Sequence, residues 1–180
     1  MQAERGPRYS GVAMLLHWLI AVAVIVNWQL AENARDGDNL MQLHAATGIT
    51  ILALTVLRIL WRLVHRPPPL APTLHRWERV LAHVTHAVFY ILLIALPLLG
   101  WIGYSVEGKG IDVFGLLRVG ALPVQQGGHD AAEGVFEIHE TLGSAMIYLI
   151  GLHIVGALKH TLWDKDGNLW RMLPFGTPKA

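Results

Sequence analysis

Charged residues leave four long gaps along this chain. None lies between Arg8 and Glu32, Asp38 and Arg58, Arg79 and Glu107, or Glu140 and Lys159, which are gaps of 23, 19, 27 and 18 residues. A helix needs about 20 mostly apolar residues to cross the hydrocarbon of a bilayer. Backbone N–H and C=O groups find no water there, so each window must satisfy its own by folding as a helix. The windows predict four transmembrane helices at roughly 12–31, 42–64, 83–105 and 138–162. Together they make an all-α, four-helix transmembrane bundle, a single domain over residues 1–180.

The connections add detail. The 32–43 segment is short and acidic. Arg66-Pro67-Pro68-Pro69 is an extended stop that ends the second helix. The 106–138 segment is about 33 residues, long enough to suggest a function of its own. Its apolar piece, Ile111 to Leu117, is expected to form a short interfacial helix, and Pro97 to kink the third helix. The first apolar run is longer than a signal-peptide core and is expected to remain as a span.

Composition narrows the chemistry. The chain is 53% hydrophobic and 15% charged with a formal net charge of +1, so no basic excess points to nucleic acid. It has no cysteine, which excludes disulfides, thiolate zinc sites, iron–sulfur ligation and thioether-linked haem. Basic residues segregate. Eleven (Arg5, Arg8, Arg58, Arg62, Arg66, Arg76, Arg79, Lys159, Lys165, Arg171 and Lys179) fall on the side that holds both termini, against Arg35, Lys109 and Arg118 on the other. By the positive-inside rule both termini are expected to be cytoplasmic. Nine of the 13 acids lie on the outer side.

Ten histidines stand against this low charge. His65, His75 and His129 fall in loops, and His83 and His86 at the cytoplasmic mouth of the third helix, where solvated or interfacial roles suffice. His17, His44, His139 and His153 fall inside spans. The 14 residues from His139 to His153 correspond to about 21 Å of rise and to within about 40° of whole turns, so both rings face one way at two depths. His44 shares the outer level with His139, and His17 the inner level with His153. Helix–helix hydrogen bonding explains one such histidine but not four at matched depths. Zinc would want more ligands per site, and a proton relay an intramembrane carboxylate. Two bis-histidine haem irons fit best, with a histidine-lined metal or proton transporter as the reading from another class. Gly48 and Gly143 each follow a histidine by one turn, where a flat macrocycle could approach the backbone. Ordinary small-residue helix packing explains them as well.

Several segments together carry a family resemblance: Leu16-His17-Trp18; Leu43-His44-Ala45-Ala46-Thr47-Gly48; Leu57-Arg58-Ile59-Leu60-Trp61-Arg62 before the prolines; Ala82-His83-Val84-Thr85-His86 with Ala95-Leu96-Pro97; Ile138-His139-Glu140-Thr141-Leu142-Gly143; Gly151-Leu152-His153; and Ala157-Leu158-Lys159-His160. Nearly the whole chain resembles the bacterial di-haem cytochrome b561 proteins of the inner membrane, relatives of the cytochrome b subunits of hydrogenases and formate dehydrogenases. The resemblance implies two haem b groups, one on His17 and His153 and one on His44 and His139. It also implies electron transfer to ubiquinone or another quinone, with His160 as a quinone contact, and for some members oxidation of superoxide on the outer side. A competing assignment gives the inner iron to His17 and His86. A competing role is the haem subunit of a larger dehydrogenase or hydrogenase with a soluble redox partner. Lys159, beside His160, is a second quinone candidate. Arg58 and Arg62 either pair with inner-haem propionates or face lipid phosphate. The acidic outer side opposes superoxide capture unless Lys109, Arg118 or Arg35 forms a positive patch.

Overall fold

The computed structural model describes residues 8–34, 39–69, 74–164 and 169–175. It consists of four long helices, α1 (Gly11–Asn33), α2 (Leu40–Val64), α3 (Arg76–Val106) and α4 (Gly128–Leu162), with a two-stranded hairpin between α3 and α4. All four helices are long and apolar enough to cross a membrane. Arg35, Asp36, Asp38, Arg5, Lys165 and Lys179, used above to orient the chain, lie outside the described residues.

Each helix end has a local cause. Ser10 caps α1, its hydroxyl accepting from Ala13 N at 3.3 Å. Pro67, which cannot continue a helix, follows the end of α2. α3 begins seven residues before the expected span because Glu78 reaches back to His75 N at 2.9 Å and satisfies a donor at the helix start. α3 then runs through Pro97 without a break. α4 begins ten residues before its span, with Asp130 in its first turn, where a carboxylate suits the helix dipole. Both extensions carry charge, so a search for charge-free windows could not include them.

The expected interfacial helix at Ile111 to Leu117 is not present. Ile111–Val113 (β1) pairs antiparallel with Leu117–Val119 (β2), Asp112 standing opposite Arg118. The turn explains why. Phe114 and Gly115 both adopt positive φ, 57° and 71°, and Asp112 Oδ1 accepts from Gly115 N at 2.6 Å. That local hydrogen bond and left-handed pair close a hairpin and stop helix nucleation. Ile111 is buried and β1 packs on α2. Trp101 Nε1 ties the loop to α3 through Gly120 O at 2.9 Å.

α1 packs mainly on α2 and α3 on α4, and α2 with α3 joins the two pairs. The core cluster is Ile20, Ile51, Leu92, Leu93 and Met146. Met146 lies seven residues from both His139 and His153, so this apolar layer separates the two histidine levels by about 10 Å on each side. The outward helix faces remain apolar and exposed (Tyr148 at 78%, Leu152 at 69%), as a lipid-facing surface requires. At the end where α1 starts, a short 3₁₀ segment, Leu169–Met172, closes the bundle: Trp18 Nε1 donates to Met172 O at 2.8 Å, and the buried Arg171 to Pro69 O at 2.7 Å.

Candidate functional site

At the outer level His44, on α2, and His139, on α4, face each other with ring centroids 5.9 Å apart and planes at 80°. The two rings are anchored alike. His44 Nδ1 lies 2.9 Å from Asn27 O on α1, and His139 Nδ1 lies 2.9 Å from Leu96 O on α3. A carbonyl accepts only from an N–H, so Nδ1 carries the proton and Nε2 is left with its lone pair, the tautomer a metal-bound histidine needs. Gly100 lies beside this ring: a Cβ there would meet His139 Cε1 at 3.5 Å, an ordinary contact.

At the inner level His17, on α1, faces His153, on α4, with centroids 6.5 Å apart and planes at 75°. His86, on α3, also faces His153, at 5.9 Å and 82°, and Phe89 packs edge-on against the same ring at 5.4 Å. His153 is therefore the hub of this layer. His86 Nδ1 is held by Ala82 O, one turn back on its own helix, at 2.5 Å. Sequence spacing gave His86 a place at the helix mouth but could not show that α3 turns it toward His153.

These pairs can be tested against the group they are expected to hold. Imidazole nitrogens about 2 Å from a metal on opposite faces put the two ring centres about 6 Å apart. Both facing pairs have about that separation, and so does His86 with His153. The space beside Gly143, one turn after His139, would also accept a Cβ with no atom within 4 Å, whereas Gly48 sits in ordinary contact with Asn27 Nδ2 at 3.8 Å. The residues present fit a flat iron-centred group at each level.

Beyond the inner layer, Lys159 and His160 are drawn into one network. Lys159 Nζ bridges Glu78 Oε1 at 2.7 Å and Asp164 Oδ2 at 2.8 Å, and His160 Nδ1 lies 2.8 Å from the same Asp164 oxygen. Sequence reasoning missed Glu78 and Asp164. The signal for Glu78 was its position three residues after the helix cap; Asp164 carried none. Ligand atoms of Glu78, His160 and Asp164 lie within 4.8 Å of one another. The Lys159 ammonium already bridges the two carboxylates, so the network has its own cation.

Arg58 reaches across from α2 and donates to Ala13 O on α1 at 2.6 Å, one turn before His17. Arg62 lies over the Tyr90 ring, 5.9 Å from its centre. Both line a cavity of about 420 Å³ between the ends of α1 and α2.

The outer cations do not form a bare positive patch. Lys109 Nζ is paired with Glu107 Oε2 at 2.7 Å, and His129 Nδ1 lies 2.8 Å from the other oxygen. Arg118 stands opposite Asp112 in the hairpin, and Arg35 lies outside the described residues. Burial alone would push the Glu107 carboxyl up, but hydrogen bonds from Lys109 and His129 outweigh it and hold the carboxyl below its ordinary value. A lowered carboxyl contributes stability above the unfolded value and loses it as pH falls through the folded one. Acidification below the ordinary carboxylate range is therefore expected to release the loop between α3 and α4. Hydrogen exchange of residues 107–127 reads this directly, and equal protection at neutral and strongly acidic pH would contradict it.

The prokaryotic cytochrome b561 family model matches residues 8–175. The chain is 34% identical over 172 residues to a probable superoxide oxidase CybB of Yersinia pestis, covering 93% of this chain and 96% of that one. It is 32% identical over 173 residues to cytochrome b561 homolog 2 of Escherichia coli K12, with 92% and 91% covered. It is 28% identical over 178 residues to cytochrome b562 of Cereibacter sphaeroides, with 93% and 96% covered.

Proposed function

The chain belongs to the prokaryotic cytochrome b561 family, and from that membership we propose that it carries electrons across the bacterial inner membrane through two b-type haems to a membrane quinone. The observation that carries the reading is the pair of facing histidine couples at two depths, separated by an apolar layer. His44 with His139 would hold the outer haem, and His17 with His153 the inner one. A haem held between two such imidazoles would supply one-electron transfer rather than oxygen binding.

The protein supplies position and environment. The carbonyls of Asn27 and Leu96 fix the outer imidazoles, so little reorganisation accompanies a change of charge between them. Ile20, Ile51, Leu92, Leu93 and Met146 keep water from the space between the levels. Arg58, whose guanidinium reaches Ala13 O one turn before His17, would serve as a counter-ion for an inner propionate. Quinone reduction takes two electrons and two protons. Lys159 and His160 are donors at the inner end that can hydrogen-bond a quinone carbonyl; Glu78 and Asp164 hold Lys159, and Asp164 lies beside His160. The excess of basic residues at this end supports its being cytoplasmic.

The name of the Yersinia pestis relative favours superoxide as the outer electron donor. The acidic outer side repels that anion, so its encounter with the protein should speed up as salt screens the field. Purified protein should show reduced-minus-oxidised bands of about two b-type haems per chain, and should reduce ubiquinone when fed by a superoxide source. A colourless preparation would overturn the haem reading. A haem-loaded protein that reduces no quinone above a haem-free control would overturn the activity.

A further inference from the structure

Four arginines converge where α1 begins and α2 ends, and the redox reading uses only one of them. The cavity of about 420 Å³ there is lined by Arg8, Arg58, Arg62 and Arg66, with Trp61 and Tyr90 as aromatic walls. Among the described residues that line it there is no carboxylate. Guanidinium groups stay charged at all working pH values and match a phosphate fork. Four of them around one cavity make its mouth strongly positive.

The walls are already fixed. Trp61 Nε1 donates to Ser10 Oγ at 2.9 Å and its ring stacks on His65 at 3.8 Å. Arg62 is held over Tyr90, Arg58 against Ala13 O, and Arg8 donates to Phe175 O at 3.0 Å. The surface beside the mouth is apolar. Leu57 lies one turn before Trp61 and Val64 nearly one turn after it, so both share its side of α2, and they are 54% and 78% exposed. A charged pocket at the membrane boundary that continues into an exposed aliphatic strip is complementary to a molecule with an anionic head and hydrocarbon tails.

We propose that this cavity is a binding site for the phosphodiester headgroup of an acidic phospholipid. Arg8, Arg62 and Arg66 take the phosphate oxygens, and the acyl chains lie along Leu57, Leu60 and Val64. The site does not depend on quinone reduction. Free phosphate carries the same head chemistry without the tails, so the aliphatic strip distinguishes the two sources.

The test uses detergent-solubilised, haem-loaded protein with cardiolipin or phosphatidylglycerol as probe and phosphatidylcholine as reference, read by native mass spectrometry. The wild-type protein should retain the acidic lipids in preference to phosphatidylcholine, and inorganic phosphate should not displace them. Arg66→Gln should weaken retention about 5-fold, and Arg8→Gln with Arg66→Gln about 30-fold, one factor for each interfacial basic charge lost. Haem content should stay unchanged in both, which also reports that the variants fold. If the double variant does not fold, the single one carries the test. Equal retention of phosphatidylcholine, or loss of the acidic lipid to inorganic phosphate, would overturn the proposal. Loss of haem from Arg66→Gln would do so as well, since the cavity would then serve the haem propionates.

Discussion

His44→Ala and His139→Ala are each expected to leave the protein with half its haem, and with the same half. Both residues belong to one facing couple, so if that couple holds a haem, removing either would take away one of its two ligands. The inner spectrum should persist in both variants. His17→Ala and His153→Ala should produce the complementary loss. His86→Ala decides between the two inner assignments, His17 with His153 or His17 with His86; His17 and His86 both face His153. With His17 and His153 as the ligands, His86→Ala keeps both haems and only shifts the inner band slightly, through the lost neighbour. Haem quantitation with low-temperature difference spectra measures all five variants. Full retention of both haems in His44→Ala or His139→Ala would reject the outer pair, and loss of the inner haem in His86→Ala would move the inner ligand to α3.

Gly103→Leu is expected to be the most damaging substitution outside the histidines. Gly103 is buried in α3 against α4, and a Cβ built there would lie 2.4 Å from Phe136 Cε1 and 2.7 Å from Cζ. Such atoms cannot coexist, so the ring must turn or the two helices must part. Overpacking a close-packed contact costs about 1–3 kcal/mol. The cost should appear as a lower midpoint when haem absorbance and helicity are followed on heating. Gly103→Ala should show the same effect in milder form, and adding Phe136→Leu should recover much of it. Recovery tests the mechanism: if the second substitution makes matters worse, the clash is not the cause. Tyr104 packs edge-on against Phe136 at 6.4 Å, and Phe136 lies one turn before His139 on α4, so the damage should reach the outer histidine pair before the inner one.

How much of this was legible beforehand depended on which physical constraint acted. The spans were legible because hydrocarbon tolerates neither charge nor unpaired backbone, and that demand is written residue by residue in the gaps between Arg8, Glu32, Asp38, Arg58, Arg79, Glu107, Glu140 and Lys159. The helix ends beyond the membrane were not, because water imposes no such demand. There α3 gained seven residues from the Glu78 cap and α4 ten from a charged N-terminal extension with Asp130 in its first turn. The hairpin at Ile111 to Val119 was misjudged because its apolar run gave no period, and two left-handed residues with one Asp112 hydrogen bond decided the matter.

The same division runs through the site. Rise per residue along a single helix is a constant of the backbone, so the sequence alone put His139 and His153 on one face at two depths and matched His44 and His17 to those depths. Azimuth between helices is set by how side chains interlock, which no single helix encodes. Only the tertiary structure could therefore turn His86 toward His153, bring Asn27 O and Leu96 O to the outer imidazoles, and fold Glu78 and Asp164 onto Lys159. Depth was inherited from the chain; direction came from the packing.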